Sequence, residues 1–460
     1  MILNNFLIDE SSTLREALAL ININNHGIIL TTGLNGEVNG LATDGDIRRM
    51  LLEGGTLDHA ISLCVNSEFL WETPFTPREV LLKKLDSRTR VIPLLDADRR
   101  LVAIVSRDHL PIQAEEAVYA RARAPVRISF GGGGSDVTQY FDGLCGAVIN
   151  ATISLYSHAT LRLRDDLKII IHSMDLNETL CADNLKSALE QDGQFGLIQS
   201  LLKAIKPDFG FELFLNSDFP MKSGLGGSAV VSAVILGCFN QFRRDQWDQH
   251  ELAELAFQAE RLHFGISGGW QDQYATVFGG FNFMEFRMDQ NVVHPLRINP
   301  NTLLELEESL ILCDTGITHE SGDIHEDQRQ QMNQQGIRQQ VERNVDLTYL
   351  IRNYLLRGRL HEFGLALHQA WQIKRQLSRK ISNEKLDKIY NDALMNGAVG
   401  GKLLGAGGGG FFLFYAPPFC KHQLISHLTI QGLKVSPFRF EQEGLQAWTA
   451  RERKNLIETF

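Results

Sequence analysis

Three glycine clusters, at 131–134, 224–227 and 405–410, constrain most strongly what this 460-residue chain can fold into. Runs of glycine let backbone amides turn toward one point and let a second segment approach at backbone distance. Where a helix starts directly after such a run, its unpaired N–H groups and partial positive charge make an anion site. The middle cluster meets that condition. Phe211 to Asn216 alternate like a strand, Ser217 to Ser228 form a glycine-rich turn, and the apolar run Ala229 to Phe242 predicts a helix buried on most sides. Ser228, at the start of that helix, has two roles open to it: capping the first turn, or ligating a magnesium ion that bridges two phosphates.

The third cluster excludes one alternative. Gly405-Ala406-Gly407-Gly408-Gly409-Gly410 has the glycine spacing of a dinucleotide fingerprint, but it precedes the strand-like Phe411–Tyr415. A dinucleotide site needs strand, glycines and helix in that order. The expected roles are a tight turn between helix and sheet and a close approach to the substrate or phosphate loop. No Walker-type loop, with lysine and a hydroxyl residue after the last glycine, occurs.

Bulk properties remove other classes. The formal net charge is -10 and the sequence pI is about 5.8, with no long basic run, which argues against nucleic acid or an anionic membrane as partner. Six scattered cysteines (Cys64, Cys145, Cys181, Cys238, Cys313 and Cys420) form no CxxC pair, so reduced thiols are expected rather than zinc or disulfides. The opening residues lack a basic region followed by an apolar run, and Ala229 to Phe239 is roughly half the length that spans a bilayer. A cytoplasmic protein is expected.

The first 115 residues carry a diffuse repeat. Leu14 to Asn22 predicts a helix, Ile28–Leu30 and Val38–Thr43 strands, and Asp44-Gly45-Asp46 opens another helix. The second copy has a helix near Pro77 to Leu85, strands at Val91–Leu95 and Leu101–Ser106, then Arg107-Asp108-His109-Leu110. Two β-α-β-β-α units in tandem bury a shared core. This repeat resembles a pair of CBS domains. The resemblance implies an adenine nucleotide near Leu41-Ala42-Thr43-Asp44-Gly45-Asp46, with Thr43 on phosphate and Asp46 on ribose. Equally open is a module that only packs or forms a homodimer. In the second copy Ser106-Arg107-Asp108 brings the acid one residue too close, against a second nucleotide site.

Beyond residue 116, Arg123-Ala124-Pro125-Val126-Arg127-Ile128-Ser129-Phe130-Gly131-Gly132-Gly133-Gly134-Ser135-Asp136, then Gly224-Leu225-Gly226-Gly227-Ser228-Ala229, then Lys402-Leu403-Leu404 with the third glycine cluster, resemble the three ordered motifs of the GHMP kinases. That resemblance runs from about residue 120 to the C-terminus. It implies a mixed α+β, two-lobe kinase using ATP and Mg2+, with lobes at 116–295 and 296–460 after the 1–115 module. The quadruple glycine, the segment Gly268-Gly269-Trp270-Gln271-Asp272-Gln273-Tyr274 and the closing Gly-Gly-Lys-Leu-Leu run resemble the branch that phosphorylates D-glycero-D-manno-heptose 7-phosphate, with fucokinases as neighbours. A sugar or sugar phosphate, phosphorylated at its anomeric hydroxyl, is the acceptor so implied. The alternatives are a fucokinase-like enzyme and a silent sugar sensor on the same fold.

The same resemblance assigns residues. Asp272, in a loop, is the catalytic aspartate that accepts or orients the proton of the attacking hydroxyl, and Arg127 keeps it ionised and aimed. Ser228 and Glu260, the latter on a helical segment from His250 to His263, hold magnesium. Lys222, Ser223, Gly224, Leu225, Gly226, Gly227 and Ser228 receive ATP, and Gly133, Gly134, Asp136, Gly407 and Gly408 receive the acceptor. Met221-Lys222 and Gly227 interrupt the family's usual turn, and Lys222 either adds a cation beside the phosphates or faces solvent. The loop Thr315 to Glu326 holds two histidines among acids without a metal-binding spacing. It stays open between substrate contact and a solvated connection.

Overall fold

A computed structural model describes residues 3–33, 35–86, 89–106, 116–221, 223–317, 324, 326–327, 330–331 and 335–453. The chain divides into two compact units, Met1–Glu116 and Ala117–Phe460.

In the first unit, strand β1 (Leu7–Asp9), a helix (Leu14–Asn24), strands β2 (Ile28–Thr32) and β3 (Val38–Thr43) and a helix (Asp44–Leu52) follow in the β-α-β-β-α order of the first repeat. The second repeat supplies a helix (Arg78–Lys84) and the antiparallel pair β4 (Val91–Leu95) and β5 (Leu101–Ser106). Glu72 bridges Leu94 in parallel, as β1 does β2 in the first repeat. The closing Arg107-Asp108-His109-Leu110 segment lies outside the described residues. Alternation along β2 explains the packing: Ile29 faces the helices with Leu14, Ala17 and Ile47, whereas Ile28 and Leu30 join Leu95 and Ile104 of the second repeat.

The second unit is built on strands β6 (Glu116–Gly131), β7 (Gly146–Leu163), β8 (Ile169–Ser173), β9 (Glu178–Ala182), β10 (Phe211–Ser217), β11 (Phe281–Phe286) and β12 (Asn291–Pro295). The 18-residue β7 is the hub. β11 pairs with its first part, β10 with its last, and β6 runs antiparallel along most of its length. A second, antiparallel sheet contains β13 (Leu310–Asp314), β14 (Gly400–Leu403), β15 (Phe411–Tyr415) and β16 (Lys434–Ser436) in the order β14-β15-β13-β16. Strands β17 (Phe440–Glu441) and β18 (Gln446–Arg453) return to the first sheet beside β7 and β6.

One apolar cluster runs through this unit, from Val126, Ile128 and Phe130 to Trp371, Phe412 and Phe414. The Gly227–Asn240 helix is apolar nearly all round, and from Ala229 onward all but Val231 of its side chains are buried. The third glycine cluster is the connection of the β14–β15 hairpin, not the helix-to-sheet turn expected from the sequence. The connection is needed because β14 and β15 are antiparallel neighbours only a short loop apart. Among the described residues, no helix is long and apolar enough to cross a membrane.

Candidate active site

The glycine clusters meet because their backbones lack side chains. A β-carbon on Gly405 would stand 2.6 Å from the α-carbon of Gly224, and one on Gly410 would strike the Ser223 carbonyl. The second and third clusters therefore lie backbone against backbone. Gly224 and Gly226 hold φ of 77° and 82°, and Gly226 is the N-cap of the Gly227–Asn240 helix. With no cap side chain there, the first amides of the helix are left free for an anion.

Ser228 does not cap its helix. Its hydroxyl donates to Oε1 of Glu260, which is buried at 2% exposure. Glu260 follows the Gln249–Phe257 helix, on a π-helical turn (Gln258–His263) that completes the helical segment read from the sequence. The widened turn places successive residues, Glu260 and Arg261, at one wall. Glu260 Oε2 accepts from Gln273 Nε2 at 2.6 Å, and Arg261 Nη1 stands 3.4 Å from Oε1.

Asp272 sits in the first turn of a helix (Gln271–Phe278) rather than in a loop. The glycines before it read as loop, yet the chain turns helical one residue earlier. Arg127, on β6, donates from Nε and Nη2 to the two oxygens of Asp272 at 2.8 Å each, and from Nη1 to the Gly224 carbonyl at 2.8 Å. Arg127 thus ties the aspartate to the glycine turn. Asp136 accepts from the Gly134 and Gln271 amides, both at 3.2 Å. Burial, with the Asp272 charge, pushes its carboxyl up from the ordinary range. The Gly268-Gly269 pair makes these approaches feasible: a β-carbon on Gly268 would strike the Arg261 guanidinium, and one on Gly269 the Asp136 carboxylate.

Two cavities result. The larger, about 380 Å³, is bounded by Gly224, Gly226, Gly227, Ser228 and Glu260, and continues over apolar side chains such as Leu197 and Phe219. Ser223, in its wall, has a buried hydroxyl with no partner. The smaller, about 50 Å³, is bounded by Ser129, Gly133, Gly134, Asp136, Lys374 and Lys402. Arg127, Arg261, Asp272, Gly405 and Ala406 border both.

The sequence-derived set is therefore largely brought together, with exceptions. Gly407 and Gly408 border neither cavity; Gly407 backs onto Ile381, and the Gly408 amide donates to the Ile381 carbonyl at 2.8 Å. Their place at the cavity is taken by Gly405 and Ala406. Leu225 buries its side chain in the core, and its carbonyl accepts from the Arg127 amide at 3.3 Å. Lys222 lies outside the described residues, as does most of the 315–326 loop, including both of its histidines. In the first unit, Thr43 and Asp46 form a reciprocal capping box, with Asp46 also held by Arg49. Arg261, Lys374 and Lys402 were not singled out from the sequence. Lys402 had a signal: one charge amid glycine and leucine in a buried strand. Lys374 had another, since it continues the apolar face of Phe363, Leu367, Ala370 and Trp371.

The hydroxyl and carboxylate of Ser228 and Glu260 suit a cation that takes its remaining ligands from phosphate and water, as Mg2+ does. Among the described residues no cluster of three or more His, Cys, Asp or Glu could form an all-protein cage.

A helix tip opened by glycine, beside an acid held by an arginine where two cavities meet, is an arrangement suited to phosphoryl transfer. Comparison with known proteins gives the same class. Residues 195–280 match the N-terminal domain of the GHMP kinases, and residues 351–419 match their C-terminal domain. D-glycero-alpha-D-manno-heptose 7-phosphate kinase of Campylobacter jejuni is 38% identical over 334 residues, covering 71% of this chain and 98% of that relative. A crystal structure of a D-glycero-D-manno-heptose 1-phosphate kinase from Bacteroides thetaiotaomicron superposes with a TM-score of 0.61 at 30% identity, covering 72% of this chain and 98% of that one. Lactococcus lactis galactokinase, at 16% identity and a TM-score of 0.59 over 71% of this chain and 95% of that one, shares the fold. The chain belongs to the GHMP kinases, and it is an ATP-dependent phosphotransferase.

Proposed function

We propose that the chain transfers the γ-phosphoryl group of ATP to the anomeric hydroxyl of a sugar, D-glycero-D-manno-heptose 7-phosphate being the first candidate. The observation that carries this reading is the shared wall of the two cavities, where Asp272 and Arg127 stand between the glycine turn and Asp136. The similarity to heptose-phosphate kinases supports the choice of sugar.

Phosphoryl transfer passes through a loose transition state, so the protein chiefly positions reactants and neutralises charge. In this reading the free amides of Gly226, Gly227 and Ser228 receive the ATP phosphates, and the apolar end of the larger cavity receives the base. Ser228 and Glu260 would hold Mg2+, which when bound screens the phosphate charge. Asp136 takes sugar hydroxyls against the Gly133-Gly134 backbone. Asp272, its carboxylate aimed by the two arginine hydrogen bonds, orients the attacking hydroxyl and accepts its proton. The first unit is proposed as a CBS-like module. Any nucleotide using Thr43 and Asp46 there must first displace their capping box.

A product-identified assay tests this function. Purified protein with ATP and Mg2+ is offered heptose 7-phosphate, fucose and galactose, with ADP release followed and the product located by phosphorus NMR. Heptose 1,7-bisphosphate is the expected product. Phosphate on a non-anomeric oxygen, or silence across the panel, would sink the proposal.

A further inference from the structure

Lys374 and Lys402 are buried at 6% and 3% exposure, yet neither has a carboxylate within 4.0 Å among the described residues. Lys374 donates to the carbonyls of Leu403, at 3.2 Å, and Gly405. Lys402 donates to the Ser129 carbonyl at 2.8 Å and its hydroxyl at 3.4 Å. In the ammonium form, which an anionic oxygen bound in the cavity would favour, each lysine has three N–H donors and so retains one. Both border the small cavity beside Asp136 and Asp272.

Packing alone does not account for them. Lys374 closes the apolar face of its helix, where methionine would fill the same space without a buried charge. The neighbouring cations are already engaged: Arg127 holds Asp272, and Arg261 faces Glu260 and the carbonyls of Ile266, Ser267 and Gly269. The two lysines share the cavity wall with two further buried donors that lack a partner, Arg261 Nε and Gln271 Nε2, but they alone there are ammonium groups with no carboxylate within 4.0 Å among the described residues.

We propose that Lys374, backed by Lys402, positions the acceptor by donating its remaining N–H to an acceptor oxygen in the small cavity. The proposal rests on the reading of that cavity as the acceptor site. Lys374 also grips the Leu403 and Gly405 carbonyls, so occupation of the small cavity is coupled to the backbone that closes on Gly224. Burial, with Arg127 nearby, pushes Lys374 down to about 7, and burial, with Lys374 and Arg127 nearby, pushes Lys402 well below its ordinary value. Both lower values accord with amines held away from water and from anionic partners.

The test compares wild type, K374M and K402M in steady-state kinetics and in calorimetric binding of the sugar panel to the ATP-free protein. K374M should lower kcat/KM for the acceptor by about 100-fold or more with KM for ATP within about twofold, because a donor-hydrogen bond in a closed site discriminates strongly. K402M should show a smaller loss in the same parameter. If KM for ATP rises in step with the acceptor defect and the melting temperature falls, Lys374 only pins the third glycine cluster and the proposal is overturned. Unchanged kinetics overturn it too. Should wild type bind a sugar without turning it over, the kinase function fails separately and binding decides: lost affinity in K374M supports the lysine's role, and equal affinity rejects it. A wild-type protein that binds no sugar of the panel also rejects it.

Discussion

Arg127 and Asp272, 145 positions apart in sequence, are joined by two hydrogen bonds of 2.8 Å, one guanidinium nitrogen to each carboxylate oxygen. The third arm of the guanidinium reaches the Gly224 carbonyl, so the pair is tied to the glycine turn. Residues acting as a unit lose their effect together. Asp272→Asn and Arg127→Met are each predicted to lower kcat by about 10³-fold, within the range for a positioned proton acceptor. The double variant should be little worse than either. Steady-state kinetics check this, and a double variant losing the product of both factors would show the two to be independent.

Ser228 and Glu260 meet from two different helical segments, and the carboxylate is aimed by the Gln273 amide at 2.6 Å. If they hold Mg2+, Glu260→Gln leaves the pocket's shape but removes the charge. The Mg2+ concentration for half-maximal activity at saturating ATP should rise by about 10–100-fold, the scale seen when support of a metal is lost. Ser228→Ala should move it the same way. Chelation of Mg2+ should abolish turnover in wild type. An unchanged Mg2+ requirement in Glu260→Gln would remove this residue from the metal assignment.

Much of this site was legible in the sequence because glycine reports backbone contacts that no other residue tolerates. Gly224, Gly405 and Gly269 mark positions where another chain segment lies against the α-carbon, and all three fell within motifs. The strand, turn and helix around Gly224 followed from periodicity alone. Fine placement did not. From its place at a helix start Ser228 read equally as a cap or a magnesium ligand, and only the structure separates the two: Gly226 occupies the N-cap and frees the hydroxyl for Glu260. Gly407 and Gly408 read as substrate contacts because they share a run with Gly405, whereas in space they serve the Ile381 turn. The helical pattern put Lys374 on a buried face, but its carbonyl partners lie on a hairpin nearly thirty residues away, which local pattern does not encode.

The buried lysines also set a dependence of stability on pH. Lys374 has an ordinary value of 10.5, pushed down to about 7 in the fold. Between those pH values the unfolded chain holds a proton that the folded chain has released, so stability rises with pH across that window. Below pH 7 both states are protonated and the full destabilisation by the buried charge remains. The contribution is on the order of a few kcal/mol. K374M should therefore show a smaller gain in urea midpoint from pH 7.5 to 9.5 than wild type. Parallel midpoints in the two proteins would refute the assignment.

Gly405 and Gly432 separate conformational strain from contact. Both hold left-handed φ, +66° and +78°. A β-carbon on Gly432 meets nothing within 4 Å, whereas one on Gly405 lies 2.6 Å from the Gly224 α-carbon and 2.7 Å from its carbonyl. Alanine in the left-handed region costs about 1–2 kcal/mol, which both variants share. Backbone cannot swing aside as a side chain can, so Gly405→Ala adds an overpacking cost of about 1–3 kcal/mol. That displacement falls on the turn proposed to receive the ATP phosphates. Gly405→Ala should thus lose more stability than Gly432→Ala in urea unfolding and should also raise KM for ATP, which Gly432→Ala leaves unchanged. Equal losses in the two variants, with unaltered ATP kinetics, would mean that the second and third glycine clusters do not bear on each other in solution.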